Sequence, residues 1–432
     1  MGLLIDAAYL SAAAFASPGL MPHLARRGNL VMDWGARLGD GIRLPEARSP
    51  RILLHGVSVG EVNACRTMVE LLAAGEGDAS IELVFASTTS TGLRRAIDLF
   101  EPRHPVEQYP LDLSRAVGRF LDRVRPDLVA TVELEVWPNL VEACRRRGIP
   151  VVVVNGRLSA RSFRGYRRVR PLVAPMFRGL TRVLAQEESY ASRFEALGVP
   201  RDRIETTGNL KWDSARIEDR VEGAEALAEA MGIDRSRPLV VAGSTAPEEH
   251  ALLERAVPSD VQLLCAPRRP EWCDAAATVL RGCARRSRGD RGSETGRFLL
   301  DTLGELRQAY ALADVVVVGR SFGSLFGSDP VEPIALGKPT VIGPAVADFA
   351  SAVEGLVAAG GLVQCGPESL AARVGELLRS PSRRHEIAEA GRAEIRRRQG
   401  ASARTAAVMR ALARERWIRR VRSADDPNRT HV

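Results

Sequence analysis

The sequence predicts an α/β protein made of two doubly wound, parallel-sheet domains, and three observations predict it. From Arg51 onward, short apolar runs at residues 52–54, 81–86, 128–132, 151–154 and 182–185 alternate with amphipathic helical patterns. That alternation belongs to βαβ units, whose crossover helices cover both faces of a parallel sheet. A second series repeats it at residues 239–242, 261–265, 298–300, 315–318 and 340–342. Between the two, residues 213–237 are charged and alanine-rich without a long apolar run, which puts the hinge there. The expected divisions are 1–27, an apolar N-terminal helix; 28–215, the first domain; 236–400, the second; 401–422, a basic helix carrying Val408, Leu412, Trp417 and Ile418; and 423–432, a disordered tail.

Length and composition agree with this division. A chain of 432 residues exceeds one ordinary domain, and 45% hydrophobic residues suffice for full cores. Lys plus Arg outnumber Asp plus Glu by 61 to 53, a net charge of +8 that calls for an anionic partner: phosphate-bearing substrate, membrane surface or nucleic acid. Nucleic acid fits poorly, because aromatics are only 5% and are not interleaved with the arginines as stacking platforms. All but two of the basic residues are arginine. The two lysines, Lys211 and Lys338, are either chance survivors or places that need a compact ammonium. The cysteines (Cys65, Cys144, Cys265, Cys273, Cys283, Cys365) show no CxxC spacing, so neither zinc nor a disulfide framework is indicated and a reducing compartment fits.

The N-terminal stretch MGLLIDAAYLSAAAFASPGLMPHLARR is apolar apart from Asp6 and ends at Arg26-Arg27. It is short for a bilayer span of about 20 apolar residues, and Asp6 and Pro18 weaken it further. It also lacks the basic start of a signal peptide. It reads as a membrane anchor or interfacial helix, with the arginines after it holding the next domain on the cytoplasmic side; the alternative is a helix docked on its own domain.

Residues 51–72 read strand, glycine turn, helix, which places Glu61 in a helix's first turn at a strand's carboxyl end, close behind Ser58 and Gly60. Ligands of open α/β sheets bind in the crevice there, but a carboxylate also simply complements the helix dipole, so the stretch by itself leaves both roles open. The run ASTTSTGLRRA, with Thr89, offers hydroxyls and backbone donors to an oxygen-rich ligand, or serves as a plain N-cap. In TVELEVWPNL, Glu133 and Glu135 are two apart at the end of an apolar run, which on a strand turns both to one face. After Asn155 come Arg157, Arg161, Arg164, Arg167, Arg168 and Arg170, a cation cluster suited to phosphates or a solvated basic face. TTGNLKWD puts Lys211 past a further strand end.

The second half continues the scheme. AGSTAPEEH runs from strand into an acidic helix start, APRRPEW offers Arg268 after a strand, and DTLGELRQAY puts Gly304 and Glu305 at a helix N-terminus. VVVVGRSFGSLFGSDPVEPIALGKP joins a strand to a short helix through a glycine-rich loop. Glu332 falls in that helix's first turn, where a carboxylate can accept both hydroxyls of a ribose. Residues 285–297, RRSRGDRGSETGR, read as an exposed loop.

Taken in order, two Rossmann-like domains of this kind describe a GT-B glycosyltransferase. The chain resembles the 3-deoxy-D-manno-octulosonic acid (Kdo) transferases of lipopolysaccharide synthesis over nearly its whole length, through SVGE, STTSTG, ELEVWPN, NGRLSARSF, TGNLKWD, GSTAPEE, APRRPEW, DTLGEL and DPVEP. The resemblance implies transfer of Kdo from a CMP-Kdo donor to a lipid A precursor at the cytoplasmic face of the inner membrane, with no cofactor and no metal. By position it implies Glu61 as the catalytic base and Glu135 as a second acidic position important for activity. Arg268, Gly304, Glu305, Asp329 and Glu332 would hold the nucleotide. Ser58, Gly60, Thr89, Glu133, Arg157, Arg161 and Lys211 are assigned to the acceptor. Two departures flank the nucleotide site: Arg269 stands where the family has histidine, and Phe326-Gly327-Ser328-Asp329 replaces its Gly-Gly-His-Asn. Both allow a changed donor sugar. The alternatives are another GT-B transferase using a different nucleotide sugar and a nucleotide-sugar epimerase.

Overall fold

The computed structural model describes residues 6, 33–75 and 80–424. It divides into two compact units, Met1–Ser214 with Gln399–Val432, and Ala215–Arg398. The expected N-terminal helix, apart from Asp6, and the expected tail beyond Ala424 lie outside the described residues. Among the described residues no helix is long and apolar enough to cross a membrane.

The first unit is built on a sheet of β1 (Arg51–His55), β2 (Glu82–Ser87), β3 (Val106–Gln108), β4 (Leu128–Val132), β5 (Val151–Gly156), β6 (Arg182–Ala185) and β7 (Ile204–Thr206). Their order is β3-β2-β1-β4-β5-β6-β7, and each pairing is parallel. Unbroken apolar runs become buried strands because helices cover both faces. Leu53, Val129, Val151 and Val153 enter one helical layer. Their neighbours Ile52, Leu54, Leu128, Val152 and Val154 enter the other. That is the period-two geometry of a strand.

The second unit holds β8 (Leu239–Thr245), β9 (Gln262–Pro267), β10 (Ala284–Arg285), β11 (Arg297–Leu299), β12 (Val315–Val318), β13 (Thr340–Ile342) and β14 (Val363–Gln364). The order is β10-β11-β9-β8-β12-β13-β14, again parallel throughout. In each sheet the chain first fills one side and then crosses to the other. The reversals fall between β1 and β4 and between β8 and β12, where the carboxyl ends of the strands leave a crevice for ligand.

The basic helix expected at 401–422 is present as Ala401–Ala424 and is part of the first unit, where Ala401, Ala406, Met409 and Ala413 join the β1 core layer. Asp213 of the TGNLKWD stretch accepts the Gly400 N–H at 2.6 Å, and Arg420 Nε donates to the fully buried Asp127 at 2.8 Å, so both ends of the helix are tied down. The arginine-rich segment 285–297 is not a plain loop: Ala284–Arg285 pairs with β11. Asp301 draws it in, accepting Arg285 Nε at 2.8 Å and the Ser287 N–H at 2.7 Å. Finally, the strand alternation expected to turn Glu133 and Glu135 to one face stops at Val132, because Glu133 takes a left-handed conformation (φ 57°).

Candidate active site

In the first unit the helix Val59–Ala64 starts directly after β1, with Ser58 as its N-cap. Ser58 Oγ accepts the Glu61 N–H at 3.2 Å and donates to Glu61 Oε1 at 2.9 Å, while the Val57 N–H donates to Oε2 at 2.8 Å. The Glu61 carboxylate is thereby held over the end of β1. The capping role is real, and it is also what aims the group. Gly60 is the residue before it in the same turn.

β4, the neighbour of β1, delivers the other carboxylates. Past the left-handed Glu133, the chain turns into the helix Pro138–Arg146. Asp112 caps that helix through the Asn139 and Leu140 N–H groups at 3.0 and 2.9 Å, and Asn139 Nδ2 donates to Asp6 at 2.9 Å. The turn is therefore braced from its far side. Trp137 Nε1 donates to Glu135 Oε2 at 2.9 Å. Burial lifts the Glu135 pKa to about 7, and the charges of Glu61 and Glu133 add to the rise. Glu133 is also pushed up, by burial and by Glu61, against the pull of Arg157 and Lys211. These are the signs of acids crowded into one partly dry place. Arg157 Nη1 lies 4.0 Å from Glu133 Oε2.

Asn155, unnamed among the site residues expected from the sequence, sets part of this geometry. It is fully buried and left-handed (φ 53°), and its Oδ1 accepts the Leu210 N–H at 3.0 Å, which places the turn carrying Lys211 at the end of β5. The signal was an asparagine closing a run of four valines. Thr89 caps the helix Ser90–Phe100, its Oγ1 accepting the Gly92 N–H at 3.1 Å and donating to the Val57 carbonyl oxygen. Arg161 is exposed on the helix Ala160–Arg168, which buries none of its residues.

In the second unit, Arg268, Asp329 and Glu332 come together around Tyr310. This tyrosine is buried, and a Cβ on Gly243 would lie 2.1 Å from its hydroxyl. Burial raises the Tyr310 pKa, the charges of Glu332 and Asp329 raise it further, and Ser244 and Arg268 oppose them. Glu332 is itself pushed up by burial, with Arg307 Nη1 3.5 Å away opposing. Asp329 Oδ1 caps the helix Val331–Ala335 through the Val331 N–H at 2.9 Å. The structure does not bring Glu305 to this place as a free group: Arg286 Nη2 donates to it at 2.9 Å, and Thr302 donates as well. Gly304 (φ 92°) forms the turn before it. Arg269 is exposed, its guanidinium 5.0 Å from the Trp272 ring. Among the described residues no group of three or more His, Cys, Asp or Glu is arranged to hold a metal ion. The six cysteines are free.

The Glu135 environment gives a testable pH dependence. A carboxyl whose folded pKa lies above its ordinary value binds its proton more tightly in the folded chain, so its contribution to stability falls as pH rises from the unfolded value to about 7. Glu135→Gln is expected to flatten that slope in thermal unfolding and to remove an ionisation near 7 from the kcat/KM profile. A variant that keeps the inflection would assign it to another group.

The sequence model of a family described as 3-Deoxy-D-manno-octulosonic-acid transferase (kdotransferase) matches residues 32–214. The 3-deoxy-D-manno-octulosonic acid transferase of Bordetella pertussis is 34% identical over 393 residues, 86% of this chain and 89% of that one. Among solved structures, a glycosyltransferase from Rickettsia africae aligns with a TM-score of 0.56 at 11% identity, covering 85% of this chain and 99% of its own. A UDP-GlcNAc 2-epimerase from Neisseria meningitidis aligns with a TM-score of 0.54 at 14% identity, covering 80% and 97%. Transferase and epimerase thus share these two parallel-sheet domains, and fold likeness does not choose between them. The choice comes from the 34% identity sustained over most of both chains, by which this chain belongs to the Kdo transferase family of glycosyltransferases, with the GT-B fold.

Proposed function

We propose that the chain transfers Kdo from CMP-Kdo to a lipid A precursor by a single inverting displacement, the first unit receiving the acceptor and the second the nucleotide. The observation that carries this reading is the gathering of Glu61, Glu133 and Glu135 at the β1–β4 reversal, with Arg157 and Lys211 acting on Glu133. Attack on the anomeric carbon passes through an oxocarbenium-like state as CMP departs. Glu61 takes the proton of the acceptor hydroxyl while that oxygen attacks. Arg268 offsets the charge growing on the departing phosphate, and Glu332 accepts from the ribose hydroxyls. Arg157, Lys211 and the exposed arginines of Ala160–Arg168 supply cations for the acceptor's phosphates.

Purified protein incubated with a CMP-Kdo generating system and a tetra-acylated lipid A precursor should yield a product heavier by one or more Kdo units in the mass spectrum. No mass gain with Kdo, together with a gain from another nucleotide sugar, would favour a second reading. In that reading Arg269 and residues 326–329, which depart from the family pattern, select a different donor. The segment 1–27 is proposed to hold the enzyme on the cytoplasmic face of the inner membrane. Unchanged sedimentation with membranes after its removal would refute that.

A further inference from the structure

Residues 319–327, GRSFGSLFG, follow β12 with three glycines in nine positions and belong to no helix or strand. Such a composition suits a loose loop, yet two adjacent carboxylates of the GSTAPEE stretch hold it in place. Glu249, on the helix Pro247–Ala256, is 1% exposed. Its Oε1 accepts the N–H groups of Ser321 and Phe322 at 2.8 and 3.0 Å, and its Oε2 accepts those of Arg320 and Ala246 at 2.7 and 2.8 Å. Next to it, Glu248 Oε1 accepts the Ser324 N–H at 2.9 Å. A buried carboxylate is costly unless its oxygens are satisfied, and here four backbone donors satisfy them.

Two of the loop glycines are explained by the same contacts. A Cβ on Gly319 would lie 2.5 Å from Thr245 Cα and 2.9 Å from Glu249 Oε2, and one on Gly323 would lie 1.9 Å from Glu248 Oε1. Arg320 between them is left-handed (φ 59°), as is Ser244 at the end of β8 (φ 57°). Strain of this kind persists where surrounding structure imposes it, and it gathers at binding sites. Ser321 ties the loop to the next strand, its Oγ accepting the Gly343 N–H at 2.8 Å.

We propose that Glu249 is a positioning residue of the donor site. Its carboxylate fixes the backbone of Arg320, Ser321 and Phe322 between the ends of β8 and β12, and Glu248 fixes Ser324. The loop beside Ser244 is thereby preformed before the nucleotide sugar arrives, so binding does not have to order it. This rests on the reading that the second unit holds the nucleotide.

Glu249→Gln tests it in the full chain. The variant keeps the volume but replaces one acceptor oxygen with an NH2 group, which opposes two backbone N–H donors whichever way the amide turns. The donor KM should rise about tenfold or more, because buried donors are left unpaired. At saturating donor, kcat and the acceptor KM should stay within about twofold of wild type. Amide exchange across residues 319–325 should quicken and slow again when CMP is added. A wild-type donor KM despite faster exchange would make Glu249 a plain structural buttress and overturn the proposal, as would equal damage to kcat and both KM values. If Glu249→Gln does not fold, Glu248→Ala, at an exposed side chain, frees Ser324 alone. A raised donor KM at unchanged Tm then supports the proposal, and an unchanged KM refutes it. Arg268→Ala measured alongside separates the two failures. CMP affinity indifferent to Arg268 sinks the nucleotide-site reading, whereas affinity that responds to Arg268 but not to Glu249 sinks only the loop proposal.

Discussion

Glu61→Gln is expected to lower the rate of Kdo transfer by about 10²–10⁴-fold, the usual contribution of a positioned general base, while CMP affinity stays at the wild-type value. The substitution is mild for the fold. The Glu61 backbone N–H still donates to Ser58 Oγ, and the amide oxygen can still accept one of the two bonds now made by Val57 and Ser58. What is lost is the negative charge and with it the capacity to take a proton. A fall in kcat with unchanged donor KM and unchanged Tm therefore reads as chemistry. Single-turnover transfer at the wild-type rate in this variant would reduce Glu61 to the cap that its hydrogen bonds also make it.

Arg268→Ala is expected to weaken CMP binding roughly tenfold to a hundredfold, the worth of one or two charge-assisted hydrogen bonds to a phosphate. Arg268 is exposed at the end of β9, and no carboxylate forms an ion pair with it among the described residues. Truncating it leaves no buried partner unpaired, so the change measured by calorimetry reports the ligand and not a damaged network. Arg268→Lys should recover part of the affinity and not all of it, since an ammonium keeps the charge but loses the planar fork. Equal affinity in wild type and the alanine variant would move the nucleotide away from the Arg268, Asp329 and Glu332 group.

Much of the candidate site was visible in the sequence because its parts are local. Glu61 lies three residues after its cap Ser58, and Glu332 lies in the first turn after Pro330, so a strand–turn–helix pattern suffices to place each at the mouth of its sheet. Thr89 and Glu305 show the limit of that reasoning. Thr89 sits at a strand end as expected but spends its hydroxyl on a cap, and Glu305 sits at a helix start but is gripped by Arg286, 19 residues earlier. Residue type and position were right in both cases; the partner already present was invisible.

The sequence by itself determined the two parallel sheets, since a strand buried on both faces must be an unbroken apolar run and its helices must show the 3.6 period, and both signals are short-range. It also determined the family, through words that keep their order. Only the tertiary structure decided that the last helix returns to the first unit, that a left-handed Glu133 ends the strand alternation, and that Glu249 reaches 71 residues along the chain to fix the loop after β12. Those outcomes depend on which distant groups satisfy buried donors and acceptors, and no local periodicity encodes such pairing.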